Sequence, residues 1–452
     1  MENKRGGREM KNLWGGDLFS SSNEKEEPPS LTLTDKKYFW QKIPLYENVS
    51  PDEFLDWKWQ MKNMIRTPLD LFKAFPFLTD EERKDIELVS KKYPILISPY
   101  YLSLIDPNDP NDPIRKQAIP SIDELLDEEG FYDPLEEEKD EAAPGLVHRY
   151  PDRALLITTN FCPTYCRHCT RKRILGKGRV VKSLLEFEKV LNYLRNHPEI
   201  TDVIVSGGDP LTLPISKLKM ILDGLKSIPS IEVVRIGSRV PVTLPMKLFD
   251  KELLNLLSKY EFLWLNTHFN HPNEITEYSK KAILNLLKIG IPVCNQTVLL
   301  KGINDDVDTM RELFKSLLKI KVKPYYLFHC DPAKGVSHFR TSVYKGIEIM
   351  EGLRGHISGL AIPTYVIDAP FGGGKVPIMP NYIISMSEEK VVLRNFEGMI
   401  FSYSNFPSKK TKQKNVGEEG IFSLLKGEKE YFIPQKIKRM ERRIERENPQ
   451  IF

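Results

Sequence analysis

Cysteine is scarce in this sequence, and long hydrophobic runs are missing. Five cysteines occur in 452 residues, and a small, odd number argues against a disulfide framework. No run of about 18 apolar residues is present, which argues against a membrane-spanning helix. The first residues, MENKRGGREMKN, include no apolar core like that of a signal peptide. These absences predict a cytoplasmic protein without a membrane partner.

A strong excess of one charge is also missing. The chain has 66 basic and 62 acidic residues, a formal net charge of +4. So small an excess argues against an extended nucleic-acid surface. The RKR segment after Cys169 is the main support for nucleic-acid binding, and such basic clusters are usually solvated faces. With 40% hydrophobic residues, the chain can bury one large core or two medium ones.

Composition and periodicity divide the chain into five segments. We expect a disordered lead at 1–34, a helical region at 35–145, alternating strands and helices at 146–360, an extension packed on them at 361–404, and a charged, partly disordered tail at 405–452. Ser50 and Thr79 are expected to start helices. The acidic run at 125–144 is interpreted as a solvated linker or lid.

The segment at 146–360 predicts an α/β fold. Helical patterns alternate with six short segments rich in β-branched and aromatic residues, at 153–159, 202–208, 232–238, 262–269, 292–300 and 324–330. Such alternation is typical of a parallel sheet with crossover helices. Eight units would close a barrel, so six predict an incomplete (β/α)6 barrel with one open side. Function is expected at the carboxyl ends of its strands.

Three of the five cysteines lie within eight residues. Cys162, Cys166 and Cys169 form C-x3-C-x2-C directly after the first predicted strand. Thiolates suit both zinc and iron–sulfur clusters. A structural zinc site normally has four protein ligands, whereas three cysteines on a four-iron cluster leave one iron open to an outside chelate. The spacing favours a [4Fe-4S] cluster and is typical of the radical S-adenosylmethionine (SAM) superfamily.

Polar motifs end the following strands. SGGDP, at residues 206–210, contains two glycines that allow a ligand close to the backbone, followed by Asp209, a partner for an ammonium. GSR and NTHFNHP place Ser238 and His268 at the next strand ends. Alone, each pattern also fits an ordinary turn or a capping histidine. Their shared position makes them a candidate SAM site.

A glycine-rich loop, FGGGK, ends at Lys375. It does not match a P-loop, because Val376 follows the lysine where Ser or Thr is required. A hairpin turn with a solvated lysine is one interpretation. A lysine that bonds covalently to an aldehyde cofactor is another.

The ordered blocks together resemble one known family. HRYPDR, CRHCTRKR, SGGDP, THFNHPNEIT, CDPAKGVSHFRT and VIDAPFGGGK look like the lysine 2,3-aminomutase family, over residues 35–405. The resemblance implies a radical SAM isomerase that interconverts L-lysine and β-lysine (3,6-diaminohexanoate) by moving the amino group from C2 to C3. It also implies three cofactors, namely a [4Fe-4S] cluster, SAM and pyridoxal 5′-phosphate (PLP).

The resemblance further implies a role for each matching side chain. The cluster ligands would be Cys162, Cys166 and Cys169. The SAM contacts would be Gly207, Gly208, Asp209, Ser238 and His268. PLP would be held by Lys375, with Tyr150, Arg153 and Gln296 beside it. The substrate would be held by Arg171 at its α-carboxylate and by Asp331 and Asp368 at its ε-ammonium.

The two aspartates carry the substrate prediction. A glutamate side chain would be repelled by Asp331 and Asp368, whereas an ammonium would be stabilised. A guanidinium would also bind two acids, so an arginine 2,3-aminomutase is one alternative. A glutamate 2,3-aminomutase is a second alternative, because related enzymes of that kind resemble this sequence as well. A protein-lysine-modifying homologue is another, against which the long N-terminal region argues. The implied partners are a small amino acid, a reductant protein such as flavodoxin or ferredoxin, and further copies of the chain.

The sequence departs from the family pattern in two places. Many members carry C-terminal cysteines that bind a structural zinc, but no cysteine follows Cys330 here, so we predict no zinc. Phe371 stands where a glycine is usual in the PLP loop, which is expected to alter that loop's mobility or the shape of the pocket.

Overall fold

A computed structural model describes residues 38–175, 180–181, 183–387, 389–404 and 442. The predicted disordered lead, and the tail apart from Arg442, lie outside these ranges. None of the helices in the described ranges is both long and apolar enough to cross a bilayer.

Short helices fill the described part of the chain before residue 127. They are α1 (Pro51–Leu55), α2 (Trp57–Lys62), α3 (Pro68–Ala74), α4 (Asp80–Ser90), α5 (Pro99–Ser103), α6 (Pro113–Ala118) and α7 (Asp123–Leu126). The two predicted helix starts are confirmed. Ser50 and Thr79 cap α1 and α4, and each exchanges hydrogen bonds with a glutamate three residues later. Trp40 and Phe54 are stacked in the core, with 4.1 Å between ring centroids.

Ten strands then form one continuous sheet. They are β1 (Glu141–Ala143), β2 (Leu146–Tyr150), β3 (Arg153–Thr159), β4 (Asp202–Gly207), β5 (Val233–Gly237), β6 (Leu263–Thr267), β7 (Val293–Leu299), β8 (Lys323–His329), β9 (Thr364–Ala369) and β10 (Gly374–Pro377). Their order in the sheet follows the chain. The six predicted strands are confirmed as β3–β8, each within two residues.

Crossover helices connect the parallel strands. They are α8 (Leu184–Arg195), α9 (Ile215–Lys226), α10 (Val240–Thr243), α11 (Lys251–Leu257), α12 (Glu277–Lys288), α13 (Val307–Lys319) and α14 (Val343–Leu353). Buried leucine, isoleucine and valine side chains from strands and helices form one large core. This is the predicted incomplete barrel. Within the described strands, β1 and β10 remain the two edges of the sheet.

The expected extension differs in one respect from its prediction. We expected residues 361–404 to pack on the barrel, but β9 pairs in parallel with β8 as a seventh parallel strand. β10 then pairs antiparallel to β9. The rest forms a separate antiparallel sheet of β11 (Ile383–Met386), β12 (Lys390–Arg394) and β13 (Ile400–Ser404). The helix α14 explains the difference, because it gives β9 the same crossover connection that the earlier strands have.

Candidate active site

A cavity of about 460 Å³ is enclosed by the strands of the main sheet and the loops that follow them. Every site residue predicted from the sequence lines this cavity. The set is Tyr150, Arg153, Cys162, Cys166, Cys169, Arg171, Gly207, Gly208, Asp209, Ser238, His268, Gln296, Asp331, Asp368 and Lys375. Residues separated by up to 225 positions in sequence therefore share one site.

The three cysteines lie on the loop after β3, and the N-terminal helical region holds this loop in place. Backbone N–H groups of Tyr165 and Arg167 donate to the carbonyls of Leu96 and Gln117, at 2.8 and 2.9 Å. The buried Arg167 side chain is paired with Glu124 through both carboxylate oxygens, at 2.8 and 2.6 Å. The helical region thus fixes the backbone between the thiols.

The surroundings of the thiols disfavour their charged form when no metal is bound. Burial and the nearby Asp209 carboxylate raise the pKa of Cys162 well above its ordinary value, and burial with Cys166 raises that of Cys169. A positively charged metal group would offset both effects. No three His, Cys, Asp or Glu side chains within the described ranges are placed to hold one metal ion.

The two glycines after β4 allow its end to lie against the cysteine loop. A Cβ atom on Gly207 would lie 2.5 Å from the Thr159 carbonyl oxygen, and one on Gly208 would lie 2.3 Å from that of Phe161. Gly207 also has a φ of +117°, a conformation that favours glycine. No larger residue fits at either position without moving the backbone.

Asp209 is buried beside these glycines and joins two strand ends. Its carboxylate accepts hydrogen bonds from the Ser238 hydroxyl and the Arg239 N–H, both at 2.7 Å. Burial raises the pKa of Asp209 to about 6. The Oδ1 atom also accepts the Leu211 N–H at 3.1 Å, whereas Oδ2 accepts only the Arg239 N–H. A carboxylate oxygen can accept two hydrogen bonds, so Oδ2 can still accept one from an ammonium ligand.

His268 offers a neutral imidazole to the cavity. Burial, followed by the positive charge of Arg239, lowers the pKa of His268 to about 3. Its Nε2 atom has no hydrogen-bond partner among the described residues. A buried polar atom without a partner is unusual and is consistent with a ligand contact.

Lys375 lies on β10, directly opposite Asp368 on β9. Its ammonium is 3.1 Å from Asp368 Oδ2, and its backbone N–H donates to the Tyr150 hydroxyl at 2.9 Å. The preceding Gly374 has a φ of +83°, and a Cβ atom there would lie 3.0 Å from the same hydroxyl. The glycine loop therefore brings the Lys375 amine into the cavity beside an aromatic ring.

Phe371 adopts a φ of +58°, a region that costs most residues about 1–2 kcal/mol. This conformation explains why glycine is usual at the position. The Phe371 ring makes an edge contact with Phe131, with 6.1 Å between centroids. This contact helps to offset the backbone strain, and it connects the glycine-rich loop to the acidic run.

Asp331 and Asp368 form an acidic end of the cavity. Burial, followed by the charge of Asp368, raises the pKa of Asp331 to about 7. The Oδ1 atom of Asp368 is buried and lacks a hydrogen-bond partner in the described structure. Two close carboxyl groups with unused acceptor capacity favour a cationic ligand.

The acidic run was interpreted as solvated, and this interpretation is wrong for its central part. Glu137 is 4% exposed and binds the Arg171 guanidinium at 2.6–3.1 Å. Burial raises its pKa, but Arg171 and Arg173 outweigh that effect and lower the pKa of Glu137 to about 2. The basic segment at 171–173 and the acidic run carry opposite charges, and their attraction is strong because water is largely excluded from the contact.

Arg171 nevertheless keeps a free edge. Glu137 binds its Nε and Nη2 atoms, and no hydrogen bond is made by Nη1 among the described residues. A guanidinium has five donors, so Nη1 remains available for a second carboxylate. Sequence patterns did not indicate Glu137, and only the match of acidic and basic segments could have suggested it.

The cavity also carries groups suited to a phosphate. The Arg153 guanidinium lies 4.1 Å above the Tyr150 ring and pairs with Asp152 at 3.0 Å. Gln296, on β7, adds an amide to the same cavity. An amine, a cation and an aromatic hydroxyl in one cavity fit a phosphorylated aldehyde cofactor.

Arg239 is the main cavity residue that the sequence analysis did not single out. It was noted only within the segment GSR, yet its buried guanidinium contacts Cys166. No local signal predicts this contact, because the two residues are 73 positions apart.

Two family models match the middle and the C-terminal part of the chain. The model described as lysine-2,3-aminomutase matches residues 350–450, and the radical SAM superfamily model matches residues 156–314.

Curated relatives cover almost the same length. The chain is 49% identical to the L-lysine 2,3-aminomutase of Clostridium subterminale, over 90% of this chain and 99% of that protein. It is 46% identical to the glutamate 2,3-aminomutase of Clostridioides difficile, over 81% of this chain and 87% of that protein. Among solved structures, Streptococcus suis SuiB bound to S-adenosylmethionine matches with a TM-score of 0.37 and 12% identity, over 48% of this chain and 51% of that chain, which is too weak a likeness to add to the argument.

Proposed function

Because the chain belongs to the lysine 2,3-aminomutase family of radical SAM enzymes, we propose that it interconverts L-lysine and β-lysine. The family's cofactors are a [4Fe-4S] cluster, SAM and PLP. When bound, they supply a 5′-deoxyadenosyl radical that takes hydrogen from substrate C3 and an electron-accepting ring system that allows the nitrogen to move. The residues of this chain bind and orient the reactants around that chemistry.

The cofactor assignments follow the geometry of the cavity. Cys162, Cys166 and Cys169 would hold three irons, and the fourth iron would face SAM. The backbone at Gly207 and Gly208, with Asp209, Ser238 and His268, would contact SAM. Lys375 would bond to PLP, with Tyr150 beside the ring, Arg153 at the phosphate and Gln296 as a further contact. Their common cavity supports this set.

Substrate orientation would depend on the two ends of the cavity. The free Nη1 edge of Arg171 would bind the α-carboxylate, while Glu137 keeps the guanidinium from rotating. Asp331 and Asp368 would accept the side-chain ammonium. A molecule bound at both ends is held in a single orientation, which limits the positions that its C3 can take.

The observation that carries the choice of lysine is the ion pair between Asp368 and Lys375. An ε-ammonium already lies 3.1 Å from this carboxylate. A PLP bond at Lys375 would remove this ammonium before the substrate binds, so the substrate's own ε-ammonium could pair with Asp368. When the substrate's α-amine displaces Lys375 from PLP, the released Lys375 amine would be neutral, and the carboxylate would stay paired with the ε-ammonium. A glutamate carboxylate would meet two acids instead. Overall sequence identity does not by itself distinguish lysine from glutamate as the substrate, since the glutamate 2,3-aminomutase is nearly as similar to this chain.

The test is a competition between amino acids. Anaerobic protein loaded with iron, sulfide and PLP would receive SAM, dithionite and equal amounts of L-lysine, L-arginine and L-glutamate. Mass spectrometry of the products should show β-lysine in at least tenfold excess over the other β-amino acids. Preferential conversion of arginine or glutamate would overturn the choice of substrate while leaving the reaction type intact.

We also propose that the enzyme works as a homo-oligomer. The small sheet β11–β13 exposes large apolar side chains on both faces, including Ile384 (51% exposed), Ile400 (63%) and Tyr403 (62%). Several large apolar side chains exposed on one small sheet favour association. Light scattering should report more than one chain per particle, and Ile384→Lys with Ile400→Lys should shift the population toward monomer.

The remaining proposals concern the cellular setting. All five cysteines are free thiols, which suits the reducing cytoplasm. The cluster would need one electron from an outside donor such as flavodoxin or ferredoxin. Reduced flavodoxin in place of dithionite should support turnover, and failure with both flavodoxin and ferredoxin would remove this choice of partner.

A further inference from the structure

Arg239 is buried at the end of β5 and uses both sides of its guanidinium. Its Nη1 atom lies 2.7 Å from Cys166 Sγ, and its Nε atom donates to the His268 carbonyl at 3.0 Å. The Nη2 atom lies within hydrogen-bond distance of three buried side chains, namely Tyr101 (3.1 Å), Gln117 (2.7 Å) and Glu274 (2.5 Å). Arg239 is the described residue whose side chain donates a hydrogen bond to a predicted cluster ligand.

This arrangement is rigid. Asp209 accepts the backbone N–H of Arg239 at 2.7 Å, which fixes the start of the side chain. Glu274, fully buried, is held by the Tyr101 hydroxyl at 2.7 Å and the Asn270 N–H at 2.6 Å. The donor to sulfur is therefore pre-positioned, and its positive charge is matched by one buried carboxylate.

We propose that Arg239 is a positioning residue that donates a charge-assisted hydrogen bond to the cluster-bound Cys166 thiolate and thereby makes the cluster easier to reduce. The inference rests on the proposed function, in which Cys166 binds one iron. Reduction adds one negative charge to the cluster. A hydrogen bond from a cation stabilises that added charge, and hydrogen bonds to cluster sulfurs are known to tune reduction potentials.

Glu274 limits the size of this effect. An uncompensated buried arginine would be costly and would also over-stabilise the reduced cluster. The Glu274 carboxylate lies on the far side of the guanidinium from Cys166, so it offsets the charge without replacing the donor. The Arg239–Glu274 pair therefore sets the potential through two opposite contributions.

A purely structural role would have different consequences. Arg239 connects β5 to Tyr101 and Gln117 in the N-terminal helical region. If that were its only role, its replacement would reduce folding or iron content but would leave the potential of the clusters that do form unchanged. The reduction potential separates the two roles.

Arg167 provides a matched control. It is also buried, lies next to Cys166 in sequence and is paired with Glu124. Its guanidinium contacts Glu124 and the Pro94 carbonyl rather than a sulfur. Arg167→Gln also removes one buried positive charge near Cys166, but it does not remove a hydrogen bond to sulfur.

The experiment is a redox titration of anaerobically reconstituted, SAM-bound full-length protein, with dithionite as the electron donor and electron paramagnetic resonance as the readout. In Arg239→Gln, the ratio of reduced to oxidised cluster at a fixed potential should fall at least tenfold, which for one electron corresponds to about 59 mV. Arg239→Lys should fall between this variant and the wild type. Glu274→Gln should shift the ratio in the opposite direction, and Arg167→Gln should change it less than about threefold.

Hydrogen-bond loss can also be seen directly. After exchange into deuterated water, pulsed magnetic resonance of the reduced wild-type cluster should show a strongly coupled exchangeable deuteron that is absent in Arg239→Gln. If Arg239→Gln fails to hold a cluster, Glu274→Gln decides the question, because an unchanged potential there overturns the inference. If the wild type forms clusters and produces β-lysine, but all variants have the same reduction potential, only the inference about Arg239 is overturned. A wild type without any iron–sulfur cluster overturns the proposed function as well.

Discussion

Lys375 and Asp368 are direct partners across β9 and β10, and the ammonium of one lies 3.1 Å from the carboxylate of the other. The pair brings together two proposed roles, because Lys375 would hold the cofactor and Asp368 would hold the substrate. In the cofactor-free protein they neutralise each other. Cofactor attachment would separate their roles and leave the acidic end of the cavity open to a cation.

Replacing Lys375 should remove covalent cofactor attachment without affecting the cluster. In Lys375→Ala, borohydride treatment after incubation with PLP should add no cofactor mass, whereas the wild type should gain one PLP per chain at this residue. Iron content should match the wild type because the cysteine loop is held by other contacts. The half-exposed Lys345, which does not line the cavity, gives the control variant Lys345→Ala. Retained labelling in Lys375→Ala would contradict the assignment.

Replacing either acid should weaken the use of lysine. Asp331→Asn and Asp368→Asn each leave a buried ammonium with one carboxylate fewer. Losing one partner of a buried charge pair costs about 2–5 kcal/mol, so kcat/KM for L-lysine should fall at least about thirtyfold. Steady-state kinetics would measure this, with the exposed Asp308→Asn as control. Unchanged kcat/KM in both variants would exclude the acidic pair from the substrate site.

Turnover of lysine should depend on the ionisation of Asp331. Burial and the neighbouring Asp368 raise the pKa of this carboxyl to about 7, so it is largely protonated at pH 6 and ionised at pH 8. Only the ionised form attracts the ε-ammonium, which stays charged throughout. Measured against pH, kcat/KM should therefore rise through about 7 in the wild type, and Asp331→Asn should lack this rise. The same profile in both proteins would show that another group titrates.

Breaking the ion pair beneath the cysteine loop should release the loop. Glu124 is completely buried and pairs with both Arg167 and Lys172. Burial raises the pKa of Glu124, but these two cations outweigh that effect and keep it below its ordinary value. Glu124→Gln leaves two cations without a carboxylate, at a cost of about 3–5 kcal/mol. Iron content and thermal stability should both fall.

The neighbouring Glu128 gives a control for this change. It lies four residues after Glu124 in sequence but is exposed, so Glu128→Gln should leave iron content and thermal stability unchanged. Equal losses in the two variants would show that the total negative charge of this part of the chain matters rather than the buried pair.

The barrel strands could be predicted from sequence because their signals are local. β3–β8 combine β-branched residues with a regular spacing, and each predicted segment lies within two residues of the observed strand. The seventh parallel strand, β9, was expected only as part of the extension at 361–404, and its pairing with β8 was not predicted. Pairing depends on the crossover helix α14, and one helix does not distinguish a continued sheet from a separate layer.

The candidate site was predictable wherever a motif carried it. The cysteines, the SGGDP segment and Lys375 belong to short patterns, and all of them line one cavity. Glu137 and Arg239 were missed, because their contacts connect segments 34 to 138 residues apart. The acidic run looked solvated by composition, and only the buried arginines opposite it make Glu137 an interior residue.

The most direct test of the whole account is product formation with SAM in limiting amount. Protein loaded with cluster and PLP, kept anaerobic and reduced with dithionite, would receive excess L-lysine and less than one equivalent of SAM per chain. We expect many molecules of β-lysine per molecule of SAM, because the proposed reaction returns the hydrogen to the product and regenerates SAM in each turnover. Lysine that stays unchanged in protein shown to contain both cofactors would contradict it.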